Sequence, residues 1–196
     1  MGLWGATDAD ESKPKWMTTA QKKEVLATTA GWVVEAGSTM TGNDNTSSTP
    51  EVLVAAGGLT TSLGAATITS AEWITTTADK SDGFTLSIRV RYNEAVDVAV
   101  SNPTIAVTNG NQGSGSGRGP HTLTYASGTG SNELVFSLAI AAANAATNAD
   151  DVLSLAAQNI TLASSSTIKD AGTATNSEVA ISSAQGTACG TITVTA

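Results

Sequence analysis

The chain has 196 residues, enough for one ordinary domain or two small ones with a real hydrophobic core. Its 9 Lys and Arg against 17 Asp and Glu give 9 − 17 = −8, which argues against a domain built to grip phosphate backbones with clustered cations. A single His (His121) and a single Cys (Cys189) exclude an internal disulfide and leave a Cys/His zinc site short of ligands.

Only 13% of residues are charged and roughly a quarter are Ser or Thr. That mixture suits the solvent faces of strands better than those of helices. The opening MGLWGATDADESK puts Asp8, Asp10 and Glu11 where a secretory signal needs an apolar stretch, and Ala6 where a myristoylation motif wants Ser or Thr. No apolar run is long enough to span a bilayer. The expectation is a protein without a membrane partner, assembled inside a cell and exposed later.

In chain order, residues 1–15 lack periodicity, contain Gly2, Gly5 and Pro14, and read as an extended arm. Thr18 and Gln21 have the spacing of a capping box, predicting a helix of about three turns through Thr29 that ends at Gly31. Trp32-Val33-Val34 and Val52 to Ala56 then read as a hairpin around a polar, Gly- and Asn-rich loop without structure of its own. These elements make up an N-terminal module, 1–60, followed by a hinge at 61–66 and a second module at 67–196.

In the second module, Ala66 to Trp73 alternates as a first strand. Phe84, Leu86, Ile88, Val90 and Tyr92 alternate strictly on one face of the next, predicting one buried and one wet face. Further strands are expected at 95–100, 104–108, 122–125, 133–140, 154–162, 178–182 and 191–195. Many short strands with turn residues between them predict a mainly β chain, with a C-terminal immunoglobulin-like β-sandwich after the small arm, helix and hairpin module. The run NGNQGSGSGRG at 109–119 reads as a mobile hairpin tip, and AAANAATNADD at 141–151 as a coil or single helical turn.

Candidate chemistry is sparse. Gly113 and Gly115 are followed by Arg118, and Gly115 and Gly117 by Pro120, so no frame of the glycine run completes a dinucleotide fingerprint. His121 has no nucleophile-elbow motif to serve, which favours a structural histidine. Cys189, between Ala188 and Gly190, reads as a small core residue or an unpaired thiol. Asp79, Asp82, Asp150, Asp151 and Asp170 lie in turns without the spacing of a calcium loop; calcium stays open because hard cations need only clustered oxygens. Trp4, Trp16 and Trp32, with Lys13 and Lys15, are candidate interface residues, since aromatic anchors dominate interface energetics. A small intrachain core is the alternative for Trp16 and Trp32.

Two resemblances follow. GFTLSIRVRYNEAVDV (83–98), PTIAVTNG, LTYASGTGSNELVFSLAI (123–140) and ADDVLSLAAQNITLASSSTIKDAGTA (149–174) resemble the bacterial immunoglobulin-like repeats of surface and adhesion proteins, over roughly residues 68–182. Ala171-Gly172-Thr173-Ala174 stands where those repeats often end in a Gly-Asn turn. MGLWGATDADESKPKWMTTAQKKEVLATTAGWVV resembles the opening of structural proteins of tailed marine phages, particularly cyanophages, through its LWG start, Lys-Pro element and ATTAGWV segment.

Together they imply a non-enzymatic virion protein, a capsid decoration or head-fibre subunit. Its 1–60 module would bind the major capsid protein or another virion protein, and its sandwich would face outward. Many copies per particle, an outer-surface location and a host-surface glycan as a further partner belong to the same expectation, without nucleic acid or membrane. A tail, neck or fibre accessory protein, or a carbohydrate-binding adhesion module, are the rival readings. Residues 1–35 carry 4 basic and 5 acidic side chains and the remainder 5 and 12, which puts the acidity on the outward part.

Overall fold

The computed structural model describes residues 17–28, 31–42, 45–55, 65–100, 102–111, 120–163 and 165–196. The predicted arm, most of the hinge and the tip of the glycine run lie outside them. The chain is mainly β, as its composition predicts.

The Thr18 capping box forms: Gln21 N–H donates to Thr18 Oγ1 at 3.3 Å and Thr18 N–H to Gln21 Oε1 at 3.0 Å. The helix it starts, α1 (Thr19–Lys22), stops after 4 residues, correcting the predicted three turns. From Val25 the chain is strand β1 (Val25–Thr28), antiparallel to β2 (Gly31–Val34) with Val25 opposite Val34. The apolar residues decide this. A short isolated helix is marginal in water, whereas pairing buries Val25 and Val34 completely beside Met17 and Trp32. Gly31, expected as a helix cap, instead begins β2 at φ 127°.

The predicted hairpin of β2 with β3 (Glu51–Ala55) is present, with a bulge between Trp32 and Val33. Its long loop is more ordered than the polar composition suggested. Ser38 is buried, its hydroxyl donates to the Glu24 carboxylate, and Met40 packs on the small core.

The larger sheet has 9 strands in the order β12-β6-β9-β8-β7-β10-β14-β5, with β4 also on β6. Its members are β4 (Ile68–Trp73), β5 (Ala78–Asp79), β6 (Phe84–Ala99), β7 (Thr104–Asn111), β8 (His121–Ser127), β9 (Ser131–Ile140), β10 (Asp151–Ser154), β12 (Thr167–Asp170) and β14 (Thr191–Thr195). Two short strands, β11 (Gln158–Asn159) and β13 (Ala180–Ile181), pair separately. The sheet curls so that residues of its two halves share one core: Leu86, Ile88, Val90, Tyr92, Leu134 and Phe136 from one side, and Ile105, Leu153, Ile192 and Val194 from the other.

The strict alternation in β6 reads correctly on its inner face. Its outer face is not wet as expected: Ser87 and Arg91 are buried there. The separate strand expected at 95–100 is a continuation of β6, which passes from β9 to β12 after a bulge between Arg91 and Val96. The strand expected at 154–162 starts earlier, as β10, and breaks before β11. A second helix, α2 (Ser183–Cys189), was not expected, although Ser182 and Gln185 form a capping box of the same spacing as Thr18 and Gln21. Its Gly186 packs tightly: a Cβ there would lie 2.4 Å from the Leu155 carbonyl oxygen.

Candidate functional site: a charged seam and its cleft

β6 carries Arg89 and Arg91 on the outer face, two residues apart, as strand geometry requires. Its neighbours supply carboxylates in register, with Glu72 of β4 opposite Arg89 and Glu133 of β9 opposite Arg91. Cross-strand pairs of opposite charge stabilise such ladders by a few tenths to about 1 kcal/mol each. Arg91 Nη2 lies 2.6 Å from Glu133 Oε1, and Arg89 Nη1 3.3 Å from Glu133 Oε2. Arg89 Nη2 is also 3.6 Å from Glu72 Oε2.

The N-terminal segment closes over these charges. Arg91 Nη1 donates to the Lys23 carbonyl at 2.9 Å and to Glu35 Oε2 at 3.4 Å, and Lys23 Nζ pairs with Glu72. With this roof in place the Arg91 side chain is only 9% exposed. The two hydrophobic clusters, one around Trp32 and one inside the curled sheet, therefore meet across a polar seam.

The charges in the seam are unequal in environment. Burial, then the nearby Glu133 charge, pushes Glu35 above the usual carboxylate range, against the pull of Arg91. Asn132 sits near the Glu35 carboxylate but without hydrogen-bond geometry. Burial acts in the same sense on Glu72, but the Lys23 ammonium and both guanidiniums outweigh it and hold Glu72 below the usual range. Beside the seam opens a cleft of about 380 Å³, lined by Glu24, Glu35, Gly37, Ser38, Thr39, Thr46, Arg89, Arg91 and Glu133, among others.

Of the predicted interface residues, Trp4, Lys13, Lys15 and Trp16 lie outside the described residues. Trp32 is 5% exposed in the small core with Met17, Val25 and Val34, the intrachain alternative given for it. The same small sheet presents apolar side chains on its outermost strand, where Val52 is 55% and Val54 36% exposed.

His121 is buried beside Asn109 and Thr147. Its Nε2 is 3.3 Å from Asn109 Nδ2 and 3.1 Å from Thr147 Oγ1. Since Asn109 Nδ2 also donates to the Ala146 carbonyl at 2.6 Å, the amide is oriented with its donor toward the ring, so Nε2 accepts and the imidazole is neutral. Burial lowers the His121 pKa. The ring ties β8 to the 141–150 turn, as a structural histidine would.

Cys189, half-buried on α2, packs against the large core; burial, then Glu72, pushes its thiol up to about 11, far from a reactive thiolate. The turn aspartates serve their own turns: Asp79 Oδ1 accepts from Ser81 N at 2.7 Å, and Asp151 Oδ2 from Asn148 N at 2.8 Å. Among the described residues no group of three or more His, Cys, Asp or Glu gathers to hold a metal, and no helix is long and apolar enough to cross a membrane.

Sequence reasoning passed over the seam. The signal available was the pair of arginines on the polar face of the most regular strand; Lys23 and Glu35, far upstream, gave none. Comparison with known protein families, curated proteins and solved structures finds no match to the chain.

Proposed function

We propose that this protein is a non-enzymatic structural component of a tailed-phage virion, a capsid decoration or head-fibre subunit. Its N-terminal part would bind the shell and its larger sheet would face outward, as an immunoglobulin-like display domain. Two observations support the second half of this reading. The order β4-β6-β9-β8 on one side and β7-β10-β14 on the other matches the order ABED and CFG of constant-type immunoglobulin sandwiches. The β7–β8 pairing joins the two halves at one edge.

The observation that carries the anchoring role is the exposed pair Val52 and Val54 on β3. Among the described residues β3 is the edge of its sheet, and edge strands with apolar side chains are normally covered by a partner. Among the described residues of the larger part, by contrast, the exposed large hydrophobics are scattered in the connections: Ile74, Val100 and Leu162. An apolar edge on a small N-terminal module, joined to a larger display domain, suits a subunit repeated densely on a particle.

The test is co-sedimentation of the full chain with phage particles depleted of it. Val52→Asp with Val54→Asp leaves the fold intact, because both side chains already face solvent, and lowers particle affinity at least about tenfold. Unchanged co-sedimentation of that variant defeats the anchoring role of β3.

A further inference from the structure

We propose that the cleft beside the Arg89–Arg91 seam is a saccharide subsite that holds one pyranose ring of a glycan. The inference is independent of where on a particle the protein sits.

The lining selects the ligand by elimination. At about 380 Å³ the cleft is near the lower end of the roughly 300–1,000 Å³ typical of small-molecule sites, which suits one ring and not an extended chain. No aromatic or large aliphatic side chain lines it, so an apolar ligand gains little. Three carboxylates, Glu24, Glu35 and Glu133, face two guanidiniums, leaving 2 − 3 = −1 and repelling a phosphate or carboxylate ligand. No group of described acidic, His or Cys side chains is placed to hold a metal ion.

The Arg89 and Arg91 guanidiniums in the lining also oppose a cationic group, which leaves a neutral ligand that both donates and accepts hydrogen bonds. Sugar hydroxyls do both. The cleft offers Arg89 as donor, the Glu133 carboxylate as acceptor, and the hydroxyls of Thr39 and Thr46 as either. Arg89, Glu133 and Glu35 keep 31%, 23% and 22% of their side chains accessible, while Glu35 Oε1 and Glu133 Oε1 are themselves buried. They are also held in place: Glu133 is fixed by both arginines, and Arg91 by Glu133, Glu35 and the Lys23 carbonyl. Rigid, pre-paired polar groups lose little freedom when a ligand docks. The site is built only when the N-terminal segment is seated on β6, because Glu24, Glu35, residues 36–39 and Thr46 form one wall and β6 with β9 the other.

The experiment is saturation-transfer NMR on the full chain with a panel of methyl glycopyranosides covering neutral, acetamido and uronic sugars, followed by titration of the best. The expected result is binding of a neutral or acetamido sugar, weakened at least about tenfold by Thr39→Trp, which fills the mouth of the cleft from an exposed position. Should that variant unfold by circular dichroism, Thr46→Tyr makes the same test from a second exposed position on the same wall. Binding that survives the folded blocking variant places the sugar elsewhere and overturns the proposal, as does no binding across the panel. Preference for lysine methyl ester over every sugar overturns the ligand class. None of these outcomes bears on particle attachment, which co-sedimentation reads separately.

Discussion

His121 is the single titratable group of its kind, which makes its environment readable in solution. The ring accepts from Asn109 inside the fold, and a proton on Nε2 would face that donor. With burial holding the folded pKa below the ordinary histidine value of about 6.5, the unfolded chain binds the proton more tightly. Stability from this group is therefore full above about pH 6.5 and is lost as pH falls from there through the folded pKa. Between pH 7 and 5.5 the melting temperature of the native chain should fall more steeply than that of His121→Gln, and the imidazole resonance should titrate below 6.5. Equal slopes for the two proteins would show that the ring is not held neutral by the fold. That His121 is structural was legible from its isolation in the sequence. Its partners were not, because Asn109 of β7 and Thr147 of the 141–150 turn are 12 and 26 residues away.

Among the elements, the strands with strict alternation were legible and the helices were not. β6 was read from five apolar residues at a period of two, and β14 coincides with its predicted range. The segment after Thr18 misled because a capping box is a local signal, whereas the fate of Val25 depends on pairing with Val34 and packing on Met17 and Trp32. α2 shows the opposite failure: Ser182 and Gln185 gave the signal, but the other residues of Ser183–Cys189 have small side chains that gave no apolar face to read.

The β8–β9 turn offers a sharp test of element-level geometry. Gly128 has φ +117°, and a Cβ there would sit 1.8 Å from the Glu133 carbonyl oxygen, whereas Gly130 has φ +79° and nothing within 4 Å. Gly128→Ala should cost about 3 kcal/mol or more, combining strain with a forced backbone shift that displaces Glu133. Gly130→Ala should cost only about 1 kcal/mol, from the left-handed conformation alone. Denaturant titration of both variants checks this, and equal losses would contradict the turn geometry.

At the scale of the whole molecule, the mainly β architecture followed from composition and turn spacing. The seam could not be read, since its cross-module partners are 49 residues apart for Lys23 and Glu72 and 56 for Glu35 and Arg91. Nothing local marks such pairs, and burial of Arg91 exists only once both parts have folded and met. The seam also gives the small sheet a fixed seat on the large one. In the proposed reading, Val52 and Val54 of the small sheet would face a shell protein and the large sheet would point away from it.

A reconstruction of the phage particle at a resolution that separates domains tests this arrangement most directly. It should contain many copies of this chain on the outer surface, with β3 and the segment before Met17 against a shell protein and the nine-stranded sheet projecting into solvent. Particles lacking the chain, or holding it with the large sheet against the shell and β3 turned outward, would contradict the account.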